Sequence, residues 1–251
     1  MKRTAIILVL ISVFSFAKAG QPDSIFTRGN QFYANKEYNN AILCYEAVLK
    51  SGMESHELYY NLANAYFKTG ENTKAILFYE KSLRLKPGSE DALYNLSIAN
   101  SRITDKIESI PELFFITWFK NARNIFALNT WSVLSLSLFV SLLSLVLLFL
   151  LTPSHFLRRI SLPLTFVNTL LFVVALIFTF SSYLSRTDQS NAIITVPSVI
   201  VKSSPDQSAT DLFVIHEGTK VKIRETFDDW CEIQISDGNR GWLLKDSFDI
   251  I

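Results

Sequence analysis

The sequence predicts a multi-domain membrane protein: an α-helical solenoid, a transmembrane helical hairpin and a small all-β barrel, in that order. Three observations predict it. A 34-residue repeat runs through the N-terminal part of the chain. Two long apolar runs, residues 131–151 and 162–184, carry no charge at all. After Arg186 the pattern changes to short runs in which apolar and polar residues alternate.

With 251 residues, the chain is long enough for two small folded units beside the membrane part. A net charge of +1 and the lack of any basic block set nucleic acid aside as a partner. Cys44 and Cys231 lie in different predicted domains and neither sits in a CxxC spacing, so both read as small apolar residues. At the start, Met1-Lys2-Arg3 is a positive n-region, residues 5–16 are an apolar h-region, and Ala17-Lys18-Ala19 is an A-x-A cleavage site. Residues 1–19 are therefore expected to be a secretory signal peptide, with an uncleaved anchor as the alternative.

In the repeat, Gly29 aligns with Ala63, Phe32 with Tyr66, Ala41 with Ala75 and Tyr45 with Tyr79, and Pro87 closes the second copy. Small residues let two helices approach closely, and the aromatics fill the gaps between them. Gly70 ends one helix and Asn72 opens the next. A third unit starts at Ser89, with Glu90 and Asp91 favouring a helix N-terminus. This pattern resembles the tetratricopeptide (TPR) repeat, a helix–turn–helix unit, and a TPR solenoid is assigned to residues 22–108. Two and a half units are visible, whereas about three are needed to bury the stacked faces.

The resemblance implies a peptide-binding inner face lined by the first helix of each unit. The positions it places there are Phe26, Asn30 and Tyr33, then Asn61, Asn64, Phe67 and Lys68, then Tyr94, Asn95, Ile98 and Arg102. Asparagine amides offer donor and acceptor to an extended peptide backbone; the other reading of these asparagines is as solvated polar positions. Phe26 and Asp91 stand where the carboxylate-clamp members of the family carry lysine, which argues against a chaperone-tail receptor.

Residues 109–129 contain PELFFITWFKNARNIFA, aromatic-rich and amphipathic. This segment either covers the open end of the array or lies in the membrane interface, the latter being preferred; a partner protein is a third source of cover. Each of the two apolar runs spans about 30 Å as a helix, the thickness of the bilayer hydrocarbon core. Only helices and closed barrels satisfy their own backbone in lipid. The linker TPSHFLRRIS is too short for a domain, so the runs form a hairpin and everything before and after it lies on one side. The signal peptide makes that side the periplasm of a bacterial inner membrane and leaves Arg158 and Arg159 in a short cytoplasmic loop. Ser137, Ser141 and Ser144 recur as a small stripe on the first span that lets another helix approach. Thr165, Asn168 and Thr169 on the second could answer it, and Asn168 is the only amide in either span.

At the C-terminus, Val199/Val201, Val221/Ile223 and Cys231/Ile233/Ile235 share one parity, and Lys202, Lys220, Lys222, Glu232 and Gln234 the other. Turns are marked at Ser203-Ser204-Pro205-Asp206, Glu217-Gly218, Asp228-Asp229 and Asp237-Gly238-Asn239. About five strands suit a small barrel. IVKSSPDQSA, EGTKVKI, DDWCEI and DGNRGWL resemble a bacterial SH3-like domain, and an SH3-like barrel is assigned to residues 191–251. The resemblance implies recognition of cell-wall peptides or proteins. Trp230, on the polar parity, is the candidate groove contact, Trp242 is expected in the core, and Cys231 is expected to shrink any groove.

Catalysis is not expected. His56, His155 and His216 fall in three different segments, and no GxxxxGK, GxSxG or HExxH motif occurs. No cofactor or metal is expected either. Taken whole, the order of signal peptide, TPR units, hairpin and SH3-like domain resembles the BatE-type aerotolerance operon proteins of Bacteroidetes-type bacteria. That resemblance implies a non-enzymatic inner-membrane scaffold in oxidative-stress tolerance. Its implied partners are von Willebrand A-domain membrane proteins and a MoxR-type ATPase system. A cell-wall sensor and a regulatory subunit of a membrane enzyme or transporter are the alternative functions.

Overall fold

The computed structural model describes residues 24–251 apart from Ser109, so the signal-peptide expectation for residues 1–19 lies outside the described residues. Among the described residues five helices come first: α1 Ser24–Ala34, α2 Tyr38–Lys50, α3 His56–Thr69, α4 Asn72–Leu85 and α5 Glu90–Asn100. Neighbours pack pairwise, α1 on α2, α3 on α4, and α5 on α4. The Ser55 hydroxyl accepts from the Leu58 N–H and caps α3, and Gly70 ends that helix at φ +87. Ala41, Tyr45, Leu62, Ala63, Ala75, Ile76 and Tyr79 form a fully buried core. The alignment of small residues has a direct reason. A Cβ on Gly29 would stand 2.7 Å from the Tyr45 ring, so α1 approaches α2 more closely than a larger side chain allows.

After α5, residues 101–108 and 110–113 belong to an irregular strap that leads to α6, Phe114–Asn124. Two long helices follow, α7 Leu128–Leu151 and α8 His155–Thr187, both long and apolar enough to cross a membrane. They extend beyond the predicted spans. The α8 helix starts at His155 and passes through Pro163, which has no N–H to donate and so leaves the Arg159 carbonyl out of the helical ladder. The two pack antiparallel along a seam of Trp131, Ser135, Leu138, Leu142, Leu145 and Phe149, alternately four and three residues apart. That spacing is the 3.5-residue period of a coiled-coil contact. Their outer surfaces are apolar and exposed.

Seven strands close the chain: β1 Asn191–Ile194, β2 Ser198–Lys202, β3 Asp211–His216, β4 Lys220–Phe227, β5 Trp230–Gln234, β6 Arg240–Leu244 and β7 Phe248–Ile250. They form one antiparallel sheet in the order β3-β2-β6-β5-β4-β1-β7. The expected small all-β SH3-like barrel is corrected by this order: β3 and β7 are edges that do not pair with each other, and the sheet is open. The helical array supplies the reason. Ile193 of β1 and Ile251, just past β7, are buried in the helical core, and the Arg84 guanidinium donates to the Ile251 carbonyl, so this end of the sheet packs on α4 instead of on β3. At the other end, β2 joins β6 through the single registered pair Lys202↔Trp242. A Cβ on Gly241 would meet Val201 Cγ1 at 2.5 Å and the Lys202 carbonyl oxygen at 2.7 Å, which is why the joint demands glycine there.

This packing also answers what covers the open end of the array. Along one face of α4, Thr73 donates to Glu217 at 2.7 Å, Ile76 faces Gly218, Glu80 pairs with Lys220 at 2.7 Å, and Arg84 reaches Ile251. The spacing of three, four and four residues is one helix face. The β domain thus stands where the second helix of a third repeat would pack. The described part of segment 109–129 lies mainly against the hairpin, with Phe119 on Phe178 at 5.4 Å and the Trp131 indole donating to the Arg123 carbonyl at 2.8 Å, and it touches the array where the Asn124 carbonyl meets Gly88.

Candidate functional site

The asparagines of the array form a repeated device. Asn30 Oδ1 accepts from the Tyr45 hydroxyl at 2.8 Å and from Asn61 Nδ2 at 3.0 Å. One repeat later, Asn64 Oδ1 accepts from the Tyr79 hydroxyl at 2.5 Å and from Asn95 Nδ2 at 3.0 Å. Asn95 Nδ2 also lies 3.1 Å from the Tyr60 hydroxyl. Each set spans the two helices of one unit and the first helix of the next. The amides that sequence offered to a peptide thus also link helix to helix, while each stays half-exposed on the array. Burial pushes the Tyr45 hydroxyl up to about 12, with Tyr33 and Cys44 adding to the rise, so these phenols stay protonated donors.

The rest of the predicted face divides in two. Phe26 packs on Tyr45 at 5.8 Å, and Tyr33 meets Tyr38 edge-on at 5.3 Å, so both are half-buried in the array. Phe67 carries the Arg102 guanidinium over its ring at 4.2 Å, while Lys68 and Tyr94 are exposed. Tyr94, Lys68 and Arg102 are the exposed members of the set.

The strap holds the two folded units together through one carboxylate. Asp105 accepts from the His216 N–H at 2.7 Å, the Thr219 hydroxyl at 2.7 Å and His216 Nδ1 at 2.8 Å. Burial works against its charge, but the bonds from the His216 N–H, the Thr219 hydroxyl and the His216 ring outweigh it and hold the carboxyl below the ordinary carboxylate value. A depressed folded value stabilises the docked strap above the unfolded value of about 4, and that stability is lost as pH falls through the lower folded value. Proteolysis of residues 101–113 is expected to accelerate on acidification through that window. Asp105→Ala is expected to make the strap labile at neutral pH, at a cost of about 1–3 kcal/mol, and to flatten the acid dependence. An unchanged acid profile in the variant would remove Asp105 from this role.

On the sheet, β5 buries Cys231 and Ile233 and turns Trp230 outward, while β6 buries Gly241 and Leu243. Trp242 is therefore corrected from core to outer face, where it is half-buried opposite Glu232. Cys231 is corrected too: it is buried opposite Leu243, on the far side of the sheet from Trp230, and shrinks no groove. Trp230 is flanked by the paired positions Phe227 and Leu244, exposed by 55% and 37%, which makes an apolar strip across β4, β5 and β6. The parity of Trp242 was available in the sequence, since it stands between Leu243 and Gly241, the glycine that must face inward.

In the hairpin, Ser137, Ser141 and Ser144 are exposed, and the Ser137 and Ser144 hydroxyls return to the Val133 and Val140 carbonyls of their own helix. Thr165 and Thr169 likewise bond within α8. Bonds that cross between the helices include Asn168 Nδ2 to the Leu138 carbonyl at 3.0 Å, Ser135 to Thr179 at 2.9 Å and, at the loop end, Arg158 Nε to the Phe149 carbonyl at 3.3 Å. Ser135, which sequence reasoning passed over, sits in the seam one helical turn from Trp131. Among the described residues no group of acidic, histidine and cysteine side chains is arranged to hold a metal, and both cysteines are free.

The fold and its surfaces define a protein-interaction class: a helical repeat array fused to a small β module, with no catalytic family in either part. The comparisons agree at the level of the modules. Residues 29–70 and 56–89 match models of the tetratricopeptide repeat, and residues 197–249 match the bacterial SH3 domain. A TPR region and a bacterial SH3-like domain are therefore present in this chain. No match to the chain is found among curated proteins.

Proposed function

We propose that the protein is a membrane-anchored scaffold that presents its TPR array and SH3-like domain to the periplasm as one composite binding surface. The observation that carries this reading is geometric. The strap enters α6 and β1 leaves α8 at the same end of the antiparallel hairpin, and the two modules are joined there through Asp105, Thr73, Glu80 and Arg84. Two modules held in one body meet a shared partner at high effective concentration. The resemblance to BatE-type aerotolerance proteins favours a place in an oxidative-stress membrane complex, with von Willebrand A-domain proteins and a MoxR-type ATPase as the first partners to test. The exposed strip of Phe227, Trp230 and Leu244 favours a second reading, in which the SH3-like domain holds cell-wall peptides.

Topology tests the anchor. A phosphatase that works only in the periplasm, fused after Ile251, is expected to be active, and a fluorescent protein that matures only in the cytosol is expected to be dark there. The reverse result sinks the proposal. Photo-crosslinkers placed at Tyr94 and Trp230 of the full chain are expected to capture the same protein; capture of wall peptides at Trp230 alone favours the second reading.

A further inference from the structure

We propose that the cleft between α6, the end of α8 and the β domain is a binding site for the headgroup of an anionic phospholipid. The inference rests on the membrane-anchored reading and adds to it a specific lipid. The cleft measures roughly 900 Å³ and is lined by Lys120, Arg123, Lys220 and Lys222 against Glu112 and Asp188.

Charge pairing inside the cleft is incomplete. Lys120 is held by Glu112 at 2.5 Å, and Lys220 by Glu80 at 2.7 Å. Lys222 feels Asp188 at longer range. Arg123 is half-buried, and its Nε reaches only the neutral Asn124 side chain, at 3.1 Å. Burial lowers its hold on the proton, so a guanidinium in this place gains more from an incoming anion than an exposed one does. Arginine and lysine together match a phosphate diester, the first by its planar fork and the second as a point charge. Ser181 and Ser185, from the last turns of α8, line the same cleft and offer hydroxyls.

The position selects a lipid as the source of that phosphate. The cleft opens where the exposed apolar belt of α7 and α8 ends, which is headgroup depth for a helix pair that crosses a bilayer. Aromatic residues ring that level: Trp118 is 71% exposed, Tyr183 is 53% exposed, and the Phe119–Phe178 pair forms the floor between α6 and α8. Acyl chains can continue down the apolar belt while the headgroup stays among the cations.

The test uses the full chain in nanodiscs of phosphatidylcholine containing phosphatidylglycerol, with retained lipid counted by native mass spectrometry. Insertion is scored first, as resistance to carbonate extraction from vesicles of the same composition. The parent is expected to retain phosphatidylglycerol in preference to phosphatidylcholine, and Arg123→Ala/Lys222→Ala to lose about tenfold or more of that preference. A control, Lys36→Asn/Lys50→Ala, removes the same charge on the first repeat and is expected to behave as the parent. Equal retention of both lipids by the parent, unchanged retention in Arg123→Ala/Lys222→Ala, or an equal loss in the control each overturns the site while leaving the anchor standing. A chain that does not insert overturns the anchor itself, and the lipid site with it.

Discussion

Gly218→Ala is expected to destabilise the folded chain by about 2–5 kcal/mol and to loosen the SH3-like domain from the TPR array. Two penalties add. Gly218 has φ +85, where a Cβ costs roughly 1–2 kcal/mol. The new methyl would also stand 2.6 Å from Ile103 Cγ2 and 3.3 Å from Ile76 Cδ1, and overpacking of this kind costs about 1–3 kcal/mol. Gly52→Ala separates the two, because Gly52 has φ +83 with nothing within 4 Å of the position of its Cβ. Thermal unfolding of both variants should show the larger loss at Gly218, and proteolysis of residues 101–113 should accelerate in that variant alone. Equal losses would mean that the contact between Gly218 and α4 contributes nothing to docking.

Tyr79→Ala is expected to be the most damaging single change in the array, at about 3–5 kcal/mol. It empties the space of a fully buried ring and removes the hydroxyl that donates to Asn64. Tyr79→Phe keeps the ring and loses only that hydrogen bond, so about 1–2 kcal/mol is expected. Asn64 Oδ1 keeps its second donor, Asn95 Nδ2, which limits the damage. Chemical denaturation monitored by circular dichroism of the full chain in detergent measures both. A Tyr79→Phe loss as large as that of Tyr79→Ala would place the stability in the hydroxyl and not in the packing.

The repeat was legible because its signals are periodic and steric. Gly29 and Ala63 mark close helix approach, and Tyr45 and Tyr79 mark the filled gaps, so a 34-residue offset exposes all four. What Asn30, Asn61, Asn64 and Asn95 do was not legible. An amide pairs equally well with a peptide, with water or with a neighbouring helix, and only the positions of Tyr45 and Tyr79 in space choose among these. The serine stripe was obscured for a related reason. On a helix that is apolar all round, the phase carrying Ser137, Ser141 and Ser144 and the phase carrying Trp131, Ser135 and Leu138 look alike. β1 and the edge strand β7, four and three residues long, are too short to show alternation, so about five strands were expected where seven form.

By itself, the amino-acid order determined which segments become helices, which run is apolar enough for a bilayer, and where strands alternate, because those are local properties of period and composition. It did not decide that the sheet stays open, that the β domain completes the array, or that Trp242 turns outward. These depend on Ile193 and Ile251 entering a helical core well over a hundred residues away in sequence, and on Asp105 finding His216 and Thr219. Contacts at such separation leave no periodic trace in the chain, and only the folded arrangement brings their partners within reach of one another.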